Sequence, residues 1–224
     1  MANTLLKMSS LSKKVFMALA GIFLLVFLLV HLGINLFLLR NDGGDWFNQA
    51  AGFMSSNYIV KVFEIFLFLA FIIHILIGVI LKLQNWRARP KGYAVSGKAP
   101  TSFFSRYMIW TGLTIFVALI IHFINFYFVK LGWVDVPQGI HDKHDFYSMA
   151  ILLFSDMTYA VIYLIWLLVL GLHLYHAFQS VFQTLGFNHN KYTKGLKRCG
   201  ALYAIVVTLG FMIIPVYFQF FFQP

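Results

Sequence analysis

The sequence predicts an all-α integral membrane protein: five transmembrane helices in a single membrane domain over residues 1–224. The first four helices are expected to form a bundle, with the N-terminus cytoplasmic and the C-terminus outside. Three observations predict this. Of 224 residues, 61% are hydrophobic and 11% charged, against about a quarter charged in a soluble domain. The apolar residues fall in runs of more than about 20, the length that spans a bilayer. The basic residues alternate sides from one connection to the next.

The helices are expected at about 15–39, 58–84, 107–129, 157–185 and 200–222, each bounded by polar or Gly/Pro-containing sequence. The first follows the basic start MANTLLKMSSLSKKVF. Its apolar run from Val15 to Leu39 exceeds a signal-peptide core and lacks a small-residue cleavage site, so a retained helix is expected. The second ends at KLQNWRARPK and the third begins after GKAPTS. Between the third and fourth lies 130–156, with Pro137, Gly139 and HDKHD, expected as a loop with a short surface helix. The lone cysteine, Cys199, excludes an internal disulfide.

Orientation follows from the basic residues. Lys7, Lys13 and Lys14 precede helix 1. Lys82, Arg87, Arg89, Lys91, Lys98 and Arg106 flank the second connection, and Lys191, Lys194, Lys197 and Arg198 the fourth. The other side holds Arg40, Lys61, Lys130 and Lys143. The positive-inside rule places the richer side in the cytoplasm. The net charge of +10 is then accounted for by this bias and by anionic headgroups, so no nucleic-acid partner is expected. The membrane expected is the cell inner (cytoplasmic) membrane.

Ionisable groups in hydrocarbon are costly and mark function. Helices 1 to 4 carry His31, His74, His122 and the pair His173 and His176. A rise of 1.5 Å per residue puts His31 roughly 24 Å past Val15, and His122 reaches the same level on helix 3. Helices 2 and 4 run the other way and carry His74 and His173 to a second level, roughly 18 Å from the first. Two facing imidazoles at one depth suit a haem held axially between helices. Zinc requires more ligands than these levels supply, and hydrogen bonding across helices is the ordinary alternative for any one histidine. Without a CxxCH motif a haem here is b-type, not covalently attached. Gly21 and Gly112 each precede a histidine by ten residues, and Gly78 follows His74 by one turn; these glycines are expected to let helices approach a porphyrin, or to serve ordinary helix packing. Arg106, Lys14, Gln179 and His176 are expected near the propionates of the inner haem, or as interfacial side chains. Depth alone leaves His173 and His176 nearly tied.

SKKVFMALAG leading into LLVHLGIN, FIIHILIGV, LIIHFIN and LHLYHAFQSVFQTLGF together resemble the five-helix dihaem cytochrome b anchor of succinate dehydrogenase and fumarate reductase, along nearly the whole chain. The resemblance implies bis-histidine ligation of two haem b groups: His31 with His122 for the outer haem and His74 with His173 for the inner. His173 fits the family register to Ser180 and Gly186, and His176 does not. It implies a cytoplasmic iron–sulfur subunit carrying an FAD flavoprotein at which succinate and fumarate interconvert, so nothing catalytic toward succinate lies in this chain. It also implies a quinone, commonly menaquinone, near the outer haem. Glu64 and Asp156 are the acidic residues considered for that quinone, each also readable as a salt bridge or a helix end. Gly171 stands where some relatives have a glutamate. The competing readings are a dihaem cytochrome b of a hydrogenase or formate dehydrogenase, and a transporter or proton channel relaying protons through histidines.

Overall fold

The computed structural model describes residues 9–88, 103–187 and 189–222, and every regular element among them is helical. Five helices are long and apolar enough to cross a membrane: Ser10–Leu39, Tyr58–Arg87, Tyr107–Leu131, Met157–Thr184 and Lys191–Phe220. Each exceeds the ~20 residues that hydrocarbon requires, leaving turns for the interfaces or for tilt.

Helix α1 (Ser10–Asn35) starts five residues before Val15, because the Ser9 hydroxyl caps it by accepting from Ser12 N at 3.0 Å. It closes in a 3₁₀ turn, Leu36–Leu39. Helix α2 (Asp45–Ser56) lies in the connection 40–57, for which hydropathy predicts no helix. Its cap, Gly44, has φ +87°, and a Cβ there would lie 2.8 Å from Tyr147 Cβ and closer still to its ring, so only glycine fits. Helix α3 is Tyr58–Ala88. Helix α4 (Phe103–His122) passes into a π turn, Phe123–Tyr127, and a last turn α5, Phe128–Leu131.

Helix α6 (Phe146–Ser155) answers to the short helix expected in 130–156, but it is no surface element. Tyr147, Met149, Ala150 and Phe154 on it are buried. Tyr147, Ala150 and Phe154 form an apolar cluster with Leu38, Phe47, Tyr163, Ile214 and Phe218. Asn48 of α2 ties it down, donating to Asp145 Oδ1 (3.0 Å) and accepting from Tyr147 N (3.2 Å). Helix α7 is Met157–Thr184, ended by Gly186 at φ +92°. Helix α8 (Asn190–Phe220) begins ten residues before the expected Gly200, capped by His189.

Helix α8 lies along α7 and α1. Small residues allow the approach: Gly200 meets Phe178, Gly171 meets Thr208, and Gly210 meets Leu32. Tyr203 donates to the Leu25 carbonyl at 2.7 Å, and Val207 is fully buried. Helix α1 also packs on α3 and α7, and α4 packs on α7, whereas α3 and α4 touch little. The histidine-bearing α3 and α4 therefore flank a centre made by α1 and α7. The helix ends sort into a basic end, with Lys13, Lys82, Arg87 and Lys191, and an acidic end, with Asp42, Asp45, Asp145 and Asp156.

Candidate functional site

Four histidines from four helices meet in two pairs. His31 of α1 and His122 of α4 stand with ring centroids 6.0 Å apart and planes at 83°. His74 of α3 and His173 of α7 stand 6.3 Å apart at 68°. Counting rise along each helix predicts the same partners. Two imidazoles on opposite sides of one iron, with metal–nitrogen bonds of about 2 Å, put their centroids roughly 6 Å apart. Among the described residues no three His, Cys, Asp or Glu side chains converge, so each pair offers two ligands and no third.

The second pair has the features a ligand pair needs. His74 Nδ1 is buried and has no hydrogen-bond partner. The Thr111 hydroxyl donates to Met108 O at 2.9 Å and lies 3.1 Å from His173 Nδ1. With its proton committed to the carbonyl, Thr111 can only accept from His173 Nδ1–H. That fixes the tautomer and leaves Nε2 with a free lone pair, the form a metal takes. Two glycines lie beside the pair: a Cβ on Gly112 would come into ordinary contact with His173 Cε1 at 3.6 Å, and one on Gly21 would lie 4.0 Å from His74 Nδ1 and, more tightly, 3.2 Å from Val181 Cγ2. Nothing lies within 4 Å of a Cβ built on Gly78. The residues present therefore fit an iron porphyrin.

Around the first pair, Phe27 stacks on His31 at 5.2 Å, and Phe126 and Tyr163 face His122 at 5.2 and 6.4 Å. The Asn35 amide donates to His31 O (2.8 Å), and its nitrogen lies 3.3 Å from His31 Nδ1. The π turn starts at the residue after His122, a distortion frequent at functional sites. No sequence signal marks it.

The remaining expected residues divide. His176 is half-buried one turn beyond His173. Gln179 donates its amide to Tyr175 O at 3.2 Å. Lys14 is exposed, while its neighbour Lys13, not singled out from sequence, is buried at 2% exposure and donates to Gln84 Oε1 at 3.1 Å. Helical rotation separates the two: Lys13 faces α3 and Lys14 turns away. The side chain of Arg106 lies outside the described residues. Glu64 accepts from the Tyr127 hydroxyl and pairs with Lys130 at 3.7 Å. Asp156 caps α7, accepting from Thr158 N (2.7 Å) and Tyr159 N (3.2 Å). These contacts realise the salt-bridge and helix-end readings of the two acids. His141 and His144 are exposed.

No family model, curated protein or solved structure matches the chain. The fold defines its class: a helical protein with five helices able to cross a membrane.

Proposed function

We propose that this chain is the membrane anchor and electron-transfer subunit of a succinate:quinone oxidoreductase. His31 and His122 hold one haem b, and His74 and His173 hold a second. The observation that carries the reading is the double pairing: four helices each contribute one histidine, and both pairs stand at the spacing of two axial imidazoles. Bound there, a bis-histidine haem supplies reversible one-electron transfer at an iron with no open position.

The chain's own residues prepare both ligand sets. Thr111 holds His173 in the tautomer that presents Nε2. Gly112 and Gly21 keep the space beside His173 and His74 clear. Asn35 donates its amide to the His31 carbonyl and so sets its nitrogen 3.3 Å from His31 Nδ1. The basic end faces the cytoplasm of the cell inner membrane and receives an iron–sulfur subunit carrying an FAD flavoprotein, where succinate and fumarate interconvert. A quinone, menaquinone in this reading, exchanges electrons near the His31–His122 pair. Glu64, oriented by Tyr127 and Lys130, is nearer to that role than Asp156, whose Oδ1 is committed to the α7 cap.

A reduced-minus-oxidised absorption spectrum of the purified chain tests the haem reading. A b-type signal with about two haems per chain is expected, and a haem-free protein refutes it. Copurification of the iron–sulfur and flavoprotein subunits, with succinate-to-quinone assays in both directions, tests the assembly.

A further inference from the structure

Tyr163 and Asn125 form a polar pair beside His122 that the ligand assignment does not use. Tyr163 lies on α7 at 9% exposure, its ring against His122 (6.4 Å), Phe154 (5.1 Å) and Trp166 (5.4 Å). Its hydroxyl is 3.1 Å from Asn125 Nδ2. Asn125 sits within the π turn, whose wider winding rotates it relative to an α-helical position.

This pair is not saturated. A buried phenol finds a hydrogen-bond partner, and Asn125 is one. If the amide nitrogen donates to the phenol oxygen, the phenol O–H is left over. If the amide is turned and accepts from the phenol, its NH₂ is left over. In either arrangement the pair keeps two unspent donor hydrogens, in an apolar surround of aromatic rings, where an unmet donor costs about 1–3 kcal/mol. It stands beside His122, a ligand in the haem reading, and Asn125, three residues further along the helix, lies nearer the acidic end than His122. The polar edge of a ligand between His31 and His122 would turn towards that nearer boundary.

We propose that Tyr163 and Asn125 are positioning residues that donate a hydrogen bond to a carboxylate or carbonyl oxygen of a ligand at the His31–His122 pair. The inference rests on the haem reading above. Two sources carry such an oxygen: a propionate of the haem held there, or the carbonyl of a quinone beside it. Tyr163→Phe keeps the ring contacts and deletes the phenol, and Asn125→Leu deletes the amide.

The test measures haem content, redox titration and quinone kinetics in the assembled complex. Both variants should keep two haems. With a propionate as acceptor, loss of the donor leaves more negative charge near that iron, so one haem midpoint falls while the other holds. With a quinone as acceptor, both midpoints hold and KM for quinone rises several-fold. Selective loss of one haem from Tyr163→Phe also supports the pair, since the ring is retained. Unchanged midpoints and unchanged KM in both haem-replete variants overturn the proposal and leave the haem reading standing. A haem-free wild type overturns both.

Discussion

Gly112→Ala separates packing of the protein from packing against a cofactor. The added methyl would lie 3.6 Å from His173 Cε1, an ordinary van der Waals contact, with nothing else within 4 Å. The chain therefore has room for it. Replacing an interior helical glycine by alanine gains about 0.5–1 kcal/mol from reduced backbone freedom, so the haem-free protein should be as stable as the wild type or slightly more so. In the haem reading, a porphyrin held through His173 Nε2 would lie along the Nε2–Cε1 edge of that imidazole, the edge that the added methyl approaches. There the methyl overpacks, costing about 1–3 kcal/mol, which weakens haem binding at this pair by roughly 5- to 150-fold. Gly112→Leu should empty the pair. The assay is the haem-to-protein ratio against added haem, read beside thermal unfolding of the haem-free protein in detergent. Stability and haem affinity moving in opposite directions is the expected signature. Full affinity for two haems in Gly112→Leu would show that no porphyrin lies there. A haem-free protein destabilised by the alanine would refute the contact geometry itself.

Single alanine variants of His31 and His122 should each lose the same haem, and the double variant no more than either, as counted from the absorption spectrum. His173→Ala should lose the other haem while His176→Ala keeps both; the reverse would move the ligand by one turn. At Asp145, burial alone would raise the carboxyl, but the Ser148 side chain and N–H and the Asn48 amide outweigh it and hold it below the usual range. Its folded pKa is therefore the lower one, so its contribution is complete above the unfolded value of about 3.9 and fades as pH falls through the folded value. Asp145→Ala should cost about 1 kcal/mol at neutral pH and flatten that acid limb in a melting series. Gly171→Ala should destabilise by about 1–3 kcal/mol, because its Cβ would lie 3.2 Å from Thr208 Cγ2 and closer to its Oγ1; Thr208→Ala in the same chain should restore most of the loss.

Much of this architecture is legible in sequence because hydrocarbon imposes a simple rule. Apolar length marks the spans, and rise per residue converts position into depth. His31 and His122 lie on helices running the same way, so equal counts bring them level, and the structure sets them 6.0 Å apart. What hydropathy misses is the non-spanning structure. Helix α2 has a polar, glycine-flanked sequence, and its fit depends on Tyr147, about a hundred residues away. Helix α6 reads as a surface piece because its apolar residues are too few to span, yet they close a cluster with Phe47 and Phe218. The first ten residues of α8 are too charged to register as a span and are helical through the His189 cap. Lys13 and Lys14 are equivalent in a charge count, and only their rotation about α1 buries one. The π turn at Phe123–Tyr127 has no compositional mark at all.

The ten-residue spacing shared by α1 and α4 has a mechanical meaning. Each helix carries a histidine of one pair and a glycine at the other: Gly21 abuts His74 while His31 meets His122, and Gly112 abuts His173 while His122 meets His31. Ten residues are about 15 Å of rise, so the two pairs are separated along the bundle by that distance, somewhat less than the roughly 18 Å that depth counting from the helix starts gives. The same two helices thus set the spacing of the histidines at one level and the clearance at the other. A slip of α1 by one turn, about 5.4 Å, would pull His31 from His122 and replace Gly21 with a larger residue beside His74. Helix α8, which carries no intramembrane histidine, opposes such a slip. It grips α1 at Leu25 through the Tyr203 hydroxyl and at Leu32 through Gly210, and it grips α7 at Phe178 and Gly171. The fifth helix thereby shapes both histidine pairs while contributing no histidine to either: it holds α1 and α7 in the one register in which both pairs close.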